Sequence, residues 1–106
     1  MLDFAKLPRR YCEVKLKDGA RLNICTPTKR MFDDLSEIYA LFDATSVTDT
    51  AGVSRIYELF ADVLSRNKEE KKITAKELEE AYSMDDVQLF FAQYTRFVGG
   101  ETGSPN

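Results

Sequence analysis

Apolar and polar residues alternate one by one near the start of the chain, then recur at helical spacing from about residue 27 onward. From Tyr11 to Leu16 the side chains Cys12, Val14 and Leu16 fall on one side and Tyr11, Glu13 and Lys15 on the other. Ala20, Leu22 and Ile24 alternate in the same way with Arg21, Asn23 and Cys25. Lys17-Asp18-Gly19 lies between the two runs. A three-residue loop with Gly19 in the left-handed conformation pairs Leu16 with Ala20, Val14 with Leu22 and Cys12 with Ile24, which gathers every apolar side chain on one face. A two-residue loop would scramble that face. The preferred register points Cys12 and Cys25 to opposite faces, so it predicts neither a disulfide nor a shared metal between them.

Thr26-Pro27 predicts the end of the second strand and the start of a helix, with threonine as cap and proline at the first helical position. This first helix is expected to reach about Phe42. Its Met31, Phe32, Leu35, Ile38, Tyr39, Leu41 and Phe42 cover close to half the cylinder, which calls for two neighbours. Asp43 to Gly52 reads as a loop whose acidic residues lack the spacing of a calcium-binding EF-hand. A second helix near Gly52 to Arg66 carries Val53, Ile56, Tyr57, Leu59, Phe60, Val63 and Leu64 on one broad stripe, and is expected to pack on the first. Asn67 to Lys72 reads as a solvated, charged turn.

Two helix starts follow. Thr74 and Glu77 have the spacing of a capping box, with Ile73 and Leu78 at the positions of a hydrophobic staple; Ser83 and Asp86, with Tyr82 and Val87, repeat the pattern. In the last helix, Ser83 to Val98, the residues Val87, Phe90, Phe91, Tyr94, Phe97 and Val98 share a face about 120° wide. The expected fold is therefore α+β, an N-terminal two-stranded antiparallel hairpin (11–25) packed on about four helices. Residues 1–98 make one domain, and 99–106 a flexible tail.

Composition agrees with a globular chain: 106 residues, 43% hydrophobic and 31% charged, with no apolar run long enough to span a bilayer. The N-terminal residues lack the apolar stretch of a secretory signal, so the expected location is a cytoplasm, with both cysteines reduced. Charge is unevenly spread. Residues 1–30 hold eight cationic side chains against three acidic ones, a net of +5, leaving −8 on the rest of a chain whose total is −3. Such a division can orient two copies or steer the basic end toward an acidic partner.

The absence of histidine removes the usual neutral-pH general base, the Ser-His nucleophile and histidine-containing metal sites. The acidic pairs Asp33-Asp34 and Asp85-Asp86 diverge by about 100° on a helix, and the second pair sits where a helix N-terminus favours acid. Neither cysteine has a base partner in view, and Gly99-Gly100 follows a helix instead of opening one, so no phosphate-binding loop is present. No enzyme, cofactor or metal is expected. Arg9, Arg10, Lys15, Lys17 and Arg21 form a candidate basic patch, but no helix carries a basic recognition face, which argues against nucleic acid as partner.

The aromatic stripe has two readings. Aromatics at helical spacing most often complete a core; alternatively, wide apolar faces on three helices exceed what a small interior needs, and part of them is shared with another chain. Leu89, on the otherwise polar back of the last helix, joins Phe91, Tyr94 and Phe97 as the candidate contacts under the second reading. Homo-oligomerisation is one form such sharing could take.

The order of elements, YCEVKLKDGARLNICTPTKRMFDDLSEI, then KEEKKITAKELEE, then SMDDVQLFFAQYTRFVGG and a polar tail, resembles the tail assembly chaperones encoded by long-tailed phages and prophages of Gram-positive bacteria. The resemblance spans about residues 11–98 and rests on a pattern of elements without an active-site motif. It implies a non-enzymatic protein of the host bacterial cytoplasm that keeps the tape measure protein soluble and helps recruit tail tube protein. It also implies that a longer product can arise by frameshifting near the tail. The physical expectation that accompanies it is reversible binding of a client helix to the later helices. Two other readings stand beside it: a structural tail or connector component, and a small DNA-binding regulator.

Overall fold

The computed structural model describes residues 1–44 and 50–100. Strands β1 (Tyr11–Lys15) and β2 (Arg21–Cys25) form an antiparallel hairpin followed by four helices, α1 (Lys29–Ala44), α2 (Thr50–Ser65), α3 (Ala75–Ala81) and α4 (Met84–Val98). The α+β architecture is as the hydrophobic pattern predicts. A short 3₁₀ turn at Phe4–Lys6, capped by the Asp3 carboxylate, precedes the hairpin.

The register is Cys12 opposite Ile24 and Val14 opposite Leu22. Leu16 N–H donates to the Ala20 carbonyl at 2.8 Å, Gly19 takes φ +94°, and the Asp18 carboxylate accepts from Ala20 N–H at 2.9 Å. The left-handed glycine lets three residues close the turn without splaying the strands. Cys25 lies opposite Tyr11, one rung from Cys12, so the two free thiols point to opposite faces.

α2 is the axis of the domain. Ile56, Leu59, Phe60, Val63 and Leu64 are buried, and the helix packs against α1, α3 and β2. Arg55 clamps it to α1, donating through Nε and Nη2 to the Glu37 carboxylate at 2.8 and 3.2 Å. That guanidinium holds the Glu37 carboxyl below its ordinary range.

Two boundaries differ from expectation. α1 is capped by Thr28, whose hydroxyl accepts from Met31 N–H at 3.3 Å, and not by Thr26. The Thr26 carbonyl, which would accept the first intrahelical bond if Thr26 were the cap, is taken instead by Arg66 Nε at 2.9 Å. α1 continues to Ala44 and α2 begins at Thr50, so both ends of the expected loop over 43–52 are helical; residues 45–49 lie outside the described residues. Of the expected tail, Gly99 and Gly100 cap α4: their N–H groups donate to Thr95 and Phe97 carbonyls at 3.0 Å, and Gly100 has φ +94°. Residues 101–106 lie outside the described residues.

The largest departure is the turn after α2. Instead of a solvated connection, residues 66–69 lie along the outer edge of β2. Cys25 N–H donates to the Arg66 carbonyl and Lys68 N–H to the Asn23 carbonyl, both at 2.9 Å, while the Glu69 carboxylate accepts from Asn23 N–H at 2.8 Å. Asn67 is 7% exposed; its amide donates to the Leu64 and Lys71 carbonyls, and its side-chain oxygen accepts from Lys71 N–H. A short polar side chain thus replaces the missing backbone partners of the turn.

Both capping boxes form. Thr74 with Glu77, and Ser83 with Asp86, exchange hydroxyl and carboxylate bonds with each other's backbone amides. The staple pair Ile73 and Leu78 is buried at 3% and 1% exposure.

Candidate protein-interaction surface

The stripe of α4 is turned inward. Val87, Phe91 and Tyr94 are fully buried and Phe97 nearly so. Phe91 meets the edges of the Phe42 and Phe60 rings at centroid distances of 6.4 and 5.8 Å, and Phe90 stacks on Tyr94 at 5.6 Å. The Tyr94 hydroxyl donates to the Cys25 carbonyl at 2.7 Å, which fastens α4 to the end of β2. Burial drives the Tyr94 phenol well above its ordinary range, so it stays a donor. Three of the four candidate contacts, Phe91, Tyr94 and Phe97, therefore serve this chain's own interior, and a partner could touch them only if α4 lifted. Leu89 is different: it stands 71% exposed on the opposite side of the helix.

Leu89 separates two concavities. One is a groove of about 270 Å³ between β1 and α4, whose apolar lining includes Val14, Leu16, Phe60, Leu64 and Phe90. The other is a shallow depression on the outer face of α4 formed by Asp85, Gln88, Leu89 and Ala92. On α1, Phe32 and Tyr39 also remain exposed, although the Tyr39 hydroxyl donates to the Phe91 carbonyl at 3.1 Å and contacts the Thr95 hydroxyl. α1 thus has cover for Leu35 and Ile38 but not for the whole of its wide apolar face.

The five basic candidates do not act as one patch. Arg10 Nη1 donates to the Phe97 carbonyl at 2.9 Å with its guanidinium 4.7 Å from the Phe97 ring centre, so it satisfies the C-terminal end of α4. Lys17 Nζ donates to the Ala81 carbonyl at 2.6 Å and to Asp86 at 2.9 Å, tying the end of α3 to the start of α4. Lys17 and the Ser83 amide together keep the Asp86 carboxyl below its ordinary range. Arg9 donates to the Phe4 carbonyl. Lys15 and Arg21 face each other across one rung and remain exposed. The sequence carried a signal for one of these: the end of α3 at Ala81 is followed by no capping glycine or asparagine, which leaves carbonyls that a cation fits.

Among the described residues, no group of three or more His, Cys, Asp or Glu side chains is placed to hold a metal ion, and no helix is long and apolar enough to cross a membrane. Burial raises the Cys12 thiol above its ordinary value, which suits an apolar-face residue and not a nucleophile. What the arrangement offers is contact surface. No protein-family model, curated protein or solved structure matches this chain.

Proposed function

We propose that this chain is a non-enzymatic tail assembly chaperone of a long-tailed phage or prophage of a Gram-positive bacterium, acting in the host cytoplasm. In this reading it holds the tape measure protein through hydrophobic contact with α4 and helps bring tail tube protein to it. The observation that carries the reading is Leu89, 71% exposed on a helix whose other large apolar residues are at least half-buried. A leucine so placed gains from burial against an apolar client surface, by about 1.5–3 kcal/mol for the whole side chain. Phe91, Tyr94 and Phe97 contribute from beneath, since their packing holds α4 in the orientation that presents Leu89 and Ala92 outward. The sequence resemblance supplies the identity of the client.

Co-expression with the tape measure and tail tube proteins tests the proposal. The native chain is expected to copurify with the tape measure protein and raise its soluble fraction, and Leu89→Glu to abolish both while melting normally. If neither protein copurifies with the native chain, the proposal fails. Recovery of the chain in purified virions would point to a structural component instead.

A further inference from the structure

The two edges of the hairpin are not equivalent. In an antiparallel ladder, rungs alternate between pairs that bond each other and pairs whose N–H and C=O groups point outward. Leu16 bonds Ala20, so Val14–Leu22 and Cys12–Ile24 are the bonded rungs and Tyr11, Glu13 and Lys15 point away from β2. On β2 the outward groups of Asn23 are occupied by Lys68 and Glu69, and the outward amide of Cys25 by Arg66. Among the described residues nothing takes the outward amides of Glu13 and Lys15. The open stretch stops at Lys17, whose N–H donates to the Tyr82 hydroxyl at 2.9 Å. An exposed edge of this kind accepts another strand.

We propose that the occupant is β1 of a second copy of this chain, paired antiparallel about a twofold axis at Val14, which joins the two hairpins into one four-stranded sheet. Charge chooses both the occupant and the register. A twofold at Val14 sets Glu13 of each copy opposite Lys15 of the other, and each pair exchanges both backbone hydrogen bonds. A twofold at Glu13 would set two carboxylates against each other. Along this edge the sequence is therefore its own complement, with acid and base placed symmetrically about an apolar residue. A second observation points to the same place. Val14 is only half-buried although its rung partner Leu22 is 1% exposed, and the apolar groove between β1 and α4 opens beside it. The hairpin's apolar face is unfinished on the side where the second strand would lie. This inference is independent of the client reading above, because it needs no other protein.

Sedimentation equilibrium of the full chain over tens to hundreds of micromolar is expected to give a monomer–dimer equilibrium. Glu13→Lys and Lys15→Glu each convert both cross-strand pairs to like charges and are expected to weaken the dimer by roughly ten-fold or more. The double variant E13K/K15E restores opposite charges and is expected to recover it. All three alter exposed side chains, so thermal melting checks that folding is intact. Residue-resolved amide exchange supplies the second readout: protection of Glu13 and Lys15 should grow with concentration, while that of Cys25, already bonded to Arg66, should not. A monomer throughout the range, a dimer indifferent to the single charge reversals, or failure of the double variant to recover would each overturn the proposal.

Discussion

α1 and α4 both carry broad apolar faces in the sequence, close to half the cylinder on α1 and about 120° on α4, yet the fold treats them differently. In α4 the stripe is enclosed: Phe91 and Tyr94 have no exposed surface, and rings from α1, α2 and α4 itself surround them. In α1, Phe32 is 53% exposed and Tyr39 39% exposed, although Leu35 and Ile38 of the same face are buried. The difference is one of neighbours. α4 is tied at both ends and in its middle, by Lys17 on Asp86, Arg10 on the Phe97 carbonyl and Tyr94 on the Cys25 carbonyl. α1 leans chiefly on α2, so the same kind of pattern leaves a flank uncovered. Width of an apolar face thus records how much surface a helix can bury, and the surrounding elements decide how much it does bury.

Mutations sharpen this contrast, and the largest effect is expected inside α4. Phe91→Ala opens a cavity among closely packed rings and should cost about 3–5 kcal/mol; Phe32→Ala on α1 should cost well under half of that, and denaturant melts of the two variants compare them directly. A near-equal loss would mean that α1's flank is covered in solution. Next in size is the turn that replaces a third strand. Asn67→Ala strips partners from the Leu64 and Lys71 backbone groups and should destabilise by about 2 kcal/mol, with amide exchange at Cys25 and Lys68 rising first.

A smaller loss, about 1 kcal/mol each, is expected from Thr74→Ala and Ser83→Ala at the two capping boxes. These caps also carry a pH signature. The bonds from Thr74 hold Glu77, and Lys17 together with the Ser83 amide holds Asp86, below their ordinary values in the folded chain, so their contribution is present above the unfolded-state value and disappears as pH falls through the folded one. Asp62 works against them, because burial raises its carboxyl and favours the protonated form in the fold. Acid titration followed by circular dichroism should therefore show a loss of stability in the acidic carboxylate range that is shallower in Glu77→Gln. The smallest effect belongs to Leu89→Glu, expected within about 0.5 kcal/mol of the native chain by thermal melting because the side chain is already in solvent.

Much of this fold was legible before any coordinates. The hairpin register followed from alternation plus the demand for one apolar face, and Gly19 at the turn supplied the only residue suited to the left-handed position. The helix starts at Thr74 and Ser83 followed from local hydrogen-bond chemistry over three residues. The start of α1 was misplaced by two residues because Thr26 and Thr28 both qualify as caps, and only a distant side chain, Arg66, takes the Thr26 carbonyl out of play. The candidate contacts divided for a similar reason. Helical spacing placed Phe91, Tyr94 and Phe97 on one face and Leu89 on the other, but spacing has no knowledge of which face meets a neighbour.

Periodicity and capping chemistry act between residues a few positions apart, and these the sequence by itself determined: an antiparallel hairpin with its apolar side defined, amphipathic helices, and an ionic pattern along β1 that mirrors itself about Val14. Tertiary structure alone decided that residues 66–69 would cover one edge of the hairpin and leave the other open, that Arg10 and Lys17 would satisfy helix ends, and that Leu89 would remain outside. Those outcomes depend on contacts across 40 or more positions, such as Arg66 with Thr26 and Lys17 with Asp86. Such contacts arise only once α2 has brought its neighbours together, because burial is a property of assembled surfaces and not of any one segment.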